Sequence, residues 1–191
     1  MPNARIEPLS PPYDQEVAAH LGRTMPAGLE PIGLFRTLVV NLDMANAMWQ
    51  FARHELGRCL TISIRQREIL IDRTCARCGC EYEWGVHVAY FAERAGLGAD
   101  QIASLTTGDA GDSCWTDESD RLLIRLADEL HDSNDVSDEL WSALSRQYSQ
   151  AQLLDVLMLC GWYHAISFVA RAARVEPEAW APTFGQGSAG G

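Results

Sequence analysis

Residues Glu68 to His87 read E-I-L-I-D-R-T-C-A-R-C-G-C-E-Y-E-W-G-V-H, and this stretch decides how the rest of the chain is read. It predicts two helices broken at Gly79, the first carrying Glu68 and the second running from about Cys80 to Gly96. On the second helix Cys80, Glu83 and His87 stand at i, i+3 and i+7 and share one face. Glu68 is followed by Ile69, Leu70 and Ile71, which suit burial. A thiol, two carboxylates and an imidazole that converge can move protons or attack an electrophile.

Outward from that centre the chain reads as helix after helix. Residues 1–29, with Pro2, Pro8, Pro11, Pro12 and Pro26, form an arm with a short helix around Gln15 to Leu21. The domain occupies residues 30–181. Pro31 opens a first helix, and Asp43 caps Met44 to Leu56, which stops at Gly57. Ser63 with Gln66 three residues on starts the Glu68 helix with a capping box. Beyond Gly96, Ala99 to Leu105 gives one or two helical turns. Thr106 to Asp120 reads as a polar loop, with Trp115 either a lid or part of a connector. Thr116 or Asp117 starts a helix through His131, Ser137 caps Asp138 to Tyr148, and Ser149 with Gln152 caps Ala151 to Ala173. Residues 182–191, rich in Gly, Ser and Ala, read as a disordered tail. Only Leu60 to Ile64 alternates like a strand. The fold class is all-α.

The 191 residues, 47% hydrophobic, suffice for one domain with a sizeable core. A net charge of -11 argues against nucleic acid and anionic membrane surfaces as partners. It leaves room for a small anionic substrate, because the field inside a pocket can oppose the global charge. The apolar run Val156 to Ala170 is interrupted by Gly161, His164 and Ser167 and reads as a core helix rather than a membrane span. Met1 to Pro12 lacks a signal-peptide pattern, so a cytoplasmic, reducing location is expected for the six cysteines.

Three readings of the cysteine cluster stay open. Cys75-Ala-Arg-Cys78 is a C-x-x-C, and Cys80 at a helix start would have its thiol pKa lowered by the helix dipole, which suits redox work. Cys75, Cys78, Cys80 and His87 also resemble a ligand set. Two helices meeting at one glycine seldom aim four ligands at one point, so no stoichiometric zinc is expected in the protein. Packing is the third. Glu83 and His87 sit among Tyr82, Trp84, Val86, Tyr90 and Phe91, so burial should raise the carboxyl pKa toward the range useful for acid–base catalysis. His164, beside Trp162 and Tyr163, is either a core histidine or a second wall of the pocket. His20, His54 and His131 have polar neighbours and no supporting constellation.

These motifs resemble the carboxymuconolactone decarboxylase and AhpD-like superfamily. The likeness is carried by R-x-x-E at Arg65 to Glu68, by the cysteine twelve positions later, and by Y-E-W-x-x-H from Tyr82 to His87. A-G-L at Ala95 to Leu97, D-Q-I at Asp100 to Ile102, the Asp120 to His131 helix and the closing G-W-Y-H extend it over roughly Leu34 to Glu178. The alkylhydroperoxidase D pattern is E-x11-C-x-x-C-x3-H. Glu68, Cys80 and His87 match its glutamate, first cysteine and histidine, while Glu83 replaces the second redox cysteine. The resemblance implies an AhpD-like helical bundle that assembles into homo-oligomers, and the replacement removes the family's disulfide cycle. What remains is a cofactor-free acid–base set for lyase, isomerase or decarboxylase chemistry on a small carbonyl or carboxylate compound. In that set Glu68, Cys80, Glu83 and His87 would be catalytic, with Tyr82, Trp84, Tyr163 and His164 around the substrate. A thiol-dependent alkyl hydroperoxide reductase using Cys80 is the alternative, and a non-catalytic oligomeric binding protein the third.

Overall fold

The structure, a computed structural model, describes residues 4–25 and 28–185. Its centre is α4, Ile64–Arg77, which packs against the helices that follow it on several sides. Ser63 Oγ accepts from the Gln66 amide and Gln66 returns the bond to the Ser63 amide, so the expected capping box starts the helix. Every residue from Arg67 to Cys75 is buried, which suits a helix surrounded by others rather than one lying on a surface. Its buried charges are answered unevenly, since both Asp72 oxygens lack a hydrogen-bond partner and burial raises that carboxyl's pKa. Arg73 makes a forked pair with Asp128 at 2.7 and 2.9 Å and also donates to the Leu105 and Gly108 carbonyls.

α4 ends in a Schellman motif. The Cys80 amide donates to Cys75 O at 2.8 Å, the Gly79 amide to Ala76 O, and Gly79 takes a φ of +62°. That left-handed residue turns the chain directly into α5, Glu81–Ala95, and makes the two helices a tight antiparallel-type hairpin. Gly96 (φ +66°) stops α5 by the same device.

Around this hairpin stand α1 (Gln15–Thr24), α2 (Gly33–Leu38), a 3-10 turn (Val39–Asn41), and α3 (Leu42–Glu55). Then come α6 (Ala99–Thr107), α7 (Glu118–Ser133), α8 (Asp138–Gln147) and α9 (Gln150–Ala173). No strand occurs among the described residues, and Leu60 to Ile64 leads instead into the cap of α4. Asn41, not Asp43, caps α3, because its side-chain oxygen accepts from the Met44 amide.

α9 runs as its caps implied, starting one residue before the expected Ala151 and ending at Ala173. It has 24 residues, and an 18-residue stretch of it reaches a mean hydropathy of 1.6, which meets the length and composition of a membrane span. One face, with Leu153, Val156, Leu159, Tyr163, Ile166 and Ala170, is buried, and the helix packs against α4. Trp115 is neither lid nor connector surface. It is fully buried, with its indole N–H donating to Ser104 Oγ at 2.8 Å.

The segment after α9 packs back on the domain, and Pro182 and Phe184 of the expected tail take part in that packing. Glu178 accepts from the Gly33 amide and from the Tyr82 hydroxyl, and Phe184 packs edge-on against Trp84. The chain crosses α5 at Gly85, where a Cβ would stand 2.4 Å from Pro182 O. Only a glycine admits so close a crossing. Residues 186–191 of the expected disordered tail lie outside the described residues, as do Pro2 and Pro26 of the arm.

Candidate active site

α4 and α5 bring Glu68 and His87 face to face. His87 Nδ1 lies 2.8 Å from Glu68 Oε2, and since a carboxylate only accepts, Nδ1 carries the proton. Glu68 is fully buried, and Arg67 Nε donates to its other oxygen at 2.6 Å. The imidazole is thereby held in one tautomer, with Nε2 free to accept. Nε2 faces the hydroxyl of Tyr163 from α9, at 2.9 Å, and Tyr163 donates to it. Burial, and then the nearby charges of Glu83 and Glu68, push the Tyr163 phenol well above its ordinary value, which keeps it a donor.

Glu83 stands one turn before His87, with Oε2 3.9 Å from His87 Nε2. Its Oε1 is buried without a hydrogen-bond partner. Burial raises its pKa, with His87 opposing, so the carboxyl group is displaced toward the range where it both takes and gives protons.

Glu83, His87 and Tyr163 line a cavity of about 630 Å³ between α1, α2 and α3 on one side and α5 and α9 on the other. Apolar side chains such as Leu34, Phe35, Met48, Trp49 and Ile166 form most of its wall. Arg53 and Arg58, both exposed, stand among its lining residues and place positive charge there in a strongly acidic protein. The size and the few convergent polar groups are those of a small-molecule site.

The other residues singled out from sequence fall elsewhere. Glu68 supports His87 from behind without lining the cavity. Cys80 is fully buried and absent from the lining, and burial raises its thiol pKa more than its helix-start position lowers it. The expected depression of that pKa is reversed because the thiol has left water. Cys75 is also buried, with its pKa raised by burial and by Cys80. Tyr82 is committed to Leu34 and Glu178, and Trp84 is core, so neither borders the cavity. His164 points away from it, toward Cys78 and His131.

Two contributors were not singled out. Arg67, next to Glu68 in the sequence, anchors its carboxylate, and a basic residue beside a buried acid was the available signal. His20, on α1, is buried, lines the cavity and has Nδ1 2.8 Å from Asn46 Oδ1. Nothing local in the sequence marks it.

No family model matches the chain, and no curated protein matches it by sequence. Solved structures do match it in shape. An uncharacterized peroxidase-related protein from Silicibacter sp. TM1040 superposes with a TM-score of 0.78 at 16% identity, over 96% of this chain and 98% of that one. The debrominase Bmp8, in complex with 2,3,4-tribromopyrrole, superposes with a TM-score of 0.67 at 15% identity, over 94% of each chain. At these identities the likeness establishes the fold. It is an all-α helical bundle shared with these two proteins, as the motifs implied.

Proposed function

We propose that the protein is an enzyme of lyase or isomerase type, including decarboxylation, that moves a proton on a small, largely apolar carbonyl or carboxylate compound. The observation that carries this reading is the unpartnered, buried Oε1 of Glu83 beside His87 at an apolar cavity. An uncompensated carboxyl oxygen in such a place is costly to stability unless a ligand or a proton uses it. Halogenated pyrrole bound to a protein of the same fold supports a small, planar, apolar occupant.

In this reading the substrate carbonyl oxygen takes the Tyr163 O–H bond, which frees His87 Nε2. His87 removes a proton from the adjoining carbon, the C–H electron pair becomes the new carbon–carbon double bond, and the carbonyl π pair moves onto the oxygen. The imidazolium formed is stabilised by Glu68, whose own position is fixed by Arg67. Glu83, in its protonated form, gives a proton to carbon at the new position and takes one back from the His87 imidazolium. In a decarboxylation His87 removes no proton, the pair of the breaking C–C bond passes toward the carbonyl oxygen as carbon dioxide leaves, and Glu83 protonates the carbon. Arg53 and Arg58 attract a substrate carboxylate. No metal or organic cofactor is required by these steps.

The thiol peroxidase reading has weaker support, because Cys80 is buried, its pKa is raised and it does not border the cavity. We also propose self-association. Leu154, Met158 and Phe168 are 64%, 52% and 68% exposed, and with Gly161 and Ala165 they form a charge-free seam at alternating spacings of four and three along α9. A second copy of this chain is the natural cover for that seam.

The test is a screen of small apolar keto acids for carbon dioxide release and for exchange of the α-proton in D2O. Turnover that falls at least about 100-fold in both Glu83→Gln and His87→Gln is expected. Turnover untouched by either substitution would overturn the assignment.

A further inference from the structure

At the side of α9 away from the cavity, three helices present nitrogen and sulfur atoms to one another. Cys78 closes α4, His131 is in the last turn of α7, and His164 lies midway along α9. Cys78 Sγ is 3.9 Å from His131 Nδ1, which is 3.1 Å from His164 Nε2, and the three atoms all lie within 4.8 Å of one another. All three residues are half-buried.

We propose that Cys78, His131 and His164 form a zinc site with three protein ligands and a fourth position left to water.

The spacing fits. Tetrahedral zinc with Zn–S of about 2.3 Å and Zn–N of about 2.0–2.1 Å needs ligand-to-ligand edges of about 3.3–3.6 Å, and the observed separations bracket these. Small side-chain rotations close the difference. The tautomer fits as well. His164 Nδ1 lies 2.9 Å from the Cys160 carbonyl, to which it donates, so the lone pair sits on Nε2 and faces the other two groups. An imidazole whose far nitrogen is tied to a carbonyl is the usual outer-shell arrangement of a metal-binding histidine. Arg171 fixes the third ligand, donating to the Cys78 carbonyl at 2.6 Å.

A thiol–imidazole–imidazole hydrogen-bond chain would account for the contacts alone. It would not call for three ligand atoms, from three separate helices, turned toward a common point that solvent can reach. Of the cations beside the site, Arg77 is paired with Asp132 and Asp128 and Arg171 donates to the Cys78 carbonyl, so each opposes a dication less than a free guanidinium would. One thiolate with two imidazoles is a donor set suited to zinc. This set differs from Cys75, Cys78, Cys80 and His87, which the two-helix geometry disfavours. Of these, Cys75 and Cys80 are fully buried, and His87 is engaged by Glu68 and Tyr163. The site is also independent of the acid–base reading, since none of its residues lines the cavity.

The experiment uses the full chain, stripped with a chelator and titrated with Zn2+ alone and with Co2+ alone. One Co2+ per chain should bind, giving a thiolate-to-metal charge-transfer band and the intense visible bands of tetrahedral cobalt. Cys78→Ser should abolish the charge-transfer band, and His131→Ala and His164→Ala should each weaken Zn2+ binding at least about 10-fold. Cys59→Ser, which alters an exposed thiol elsewhere, should leave binding intact. In the unaltered protein, Zn2+ should slow alkylation of Cys78 as followed by peptide mass, a readout that does not depend on any variant folding. Absence of the charge-transfer band, its survival in Cys78→Ser, its loss in His87→Ala, or alkylation of Cys78 unaffected by Zn2+ would each overturn the proposal.

Discussion

Glu68 and His87 are nineteen residues apart on successive helices, and the Schellman turn at Gly79 sets them 2.8 Å apart at Oε2 and Nδ1. The hydrogen bond makes Nε2 the reactive nitrogen, and a conservative substitution therefore has a defined consequence. Glu68→Gln can offer its amide N–H to Nδ1, which would favour the opposite tautomer and place the proton on Nε2. The variant should fold, bind substrate with little change in KM, and lose about 10- to 1,000-fold in kcat. Steady-state kinetics with a turned-over keto acid measure this. A kcat unchanged in Glu68→Gln would remove Glu68 from the mechanism.

Glu55 supplies a prediction about stability and pH. It is fully buried, and neither carboxylate oxygen has a hydrogen-bond partner. Burial raises its pKa to about 7, with His54 opposing and Asp155 adding to the rise. The neutral form is therefore the one the fold prefers. The stability it confers is complete below the ordinary value of 4.5 and is lost as pH rises through about 7. Glu55→Gln should flatten that decline, making the variant more stable than the natural protein at pH 8 by up to roughly 3 kcal/mol. Urea denaturation at pH 5 and pH 8 gives the comparison, and equal pH dependence in the two proteins would refute it.

The seam on α9 bears on assembly. Met158→Lys and Phe168→Glu put charge where the helix is apolar and more than half exposed. Each should shift the mass found by light scattering at micromolar concentration from a dimer or larger species toward 21.1 kDa, without loss of helicity. A natural protein that already runs as a monomer would contradict the proposal.

The fold was largely legible because its signals are local. Ser63 with Gln66, Ser149 with Gln152, and Gly79 and Gly96 are caps and stops whose chemistry is complete within a few residues. The polar centre was legible in part. Glu68, Glu83 and His87 meet as their helical spacing suggests, but the spacing says nothing of depth. Cys80 shares their face and still lies outside the cavity, buried where its thiol is disfavoured as a thiolate.

Tyr163 and His164 show the limit most plainly. Consecutive residues on a helix point about 100° apart, so only one of the two can face a given partner. Tyr163 turns to His87, and His164 turns to Cys78 and His131. Choosing between them requires the rotation of α9 against α4, which is set by the whole packed interface. Trp84 and Trp115 fail for a related reason, since an indole fills a core as readily as it covers a pocket. His20 enters through a contact that no motif records, whereas Arg67 stood beside Glu68 in the sequence.

The most direct test of the account follows the α-proton of a keto acid that the enzyme turns over, by NMR in D2O, in the natural protein and in Glu83→Gln, His87→Gln and Cys80→Ser. The account predicts deuterium incorporation in the natural protein, a loss of at least about 100-fold in Glu83→Gln and His87→Gln, and a smaller effect in Cys80→Ser. No incorporation in the natural protein, together with thiol-fuelled reduction of alkyl hydroperoxides that Cys80→Ser abolishes, would contradict it and return the chemistry to the cysteine.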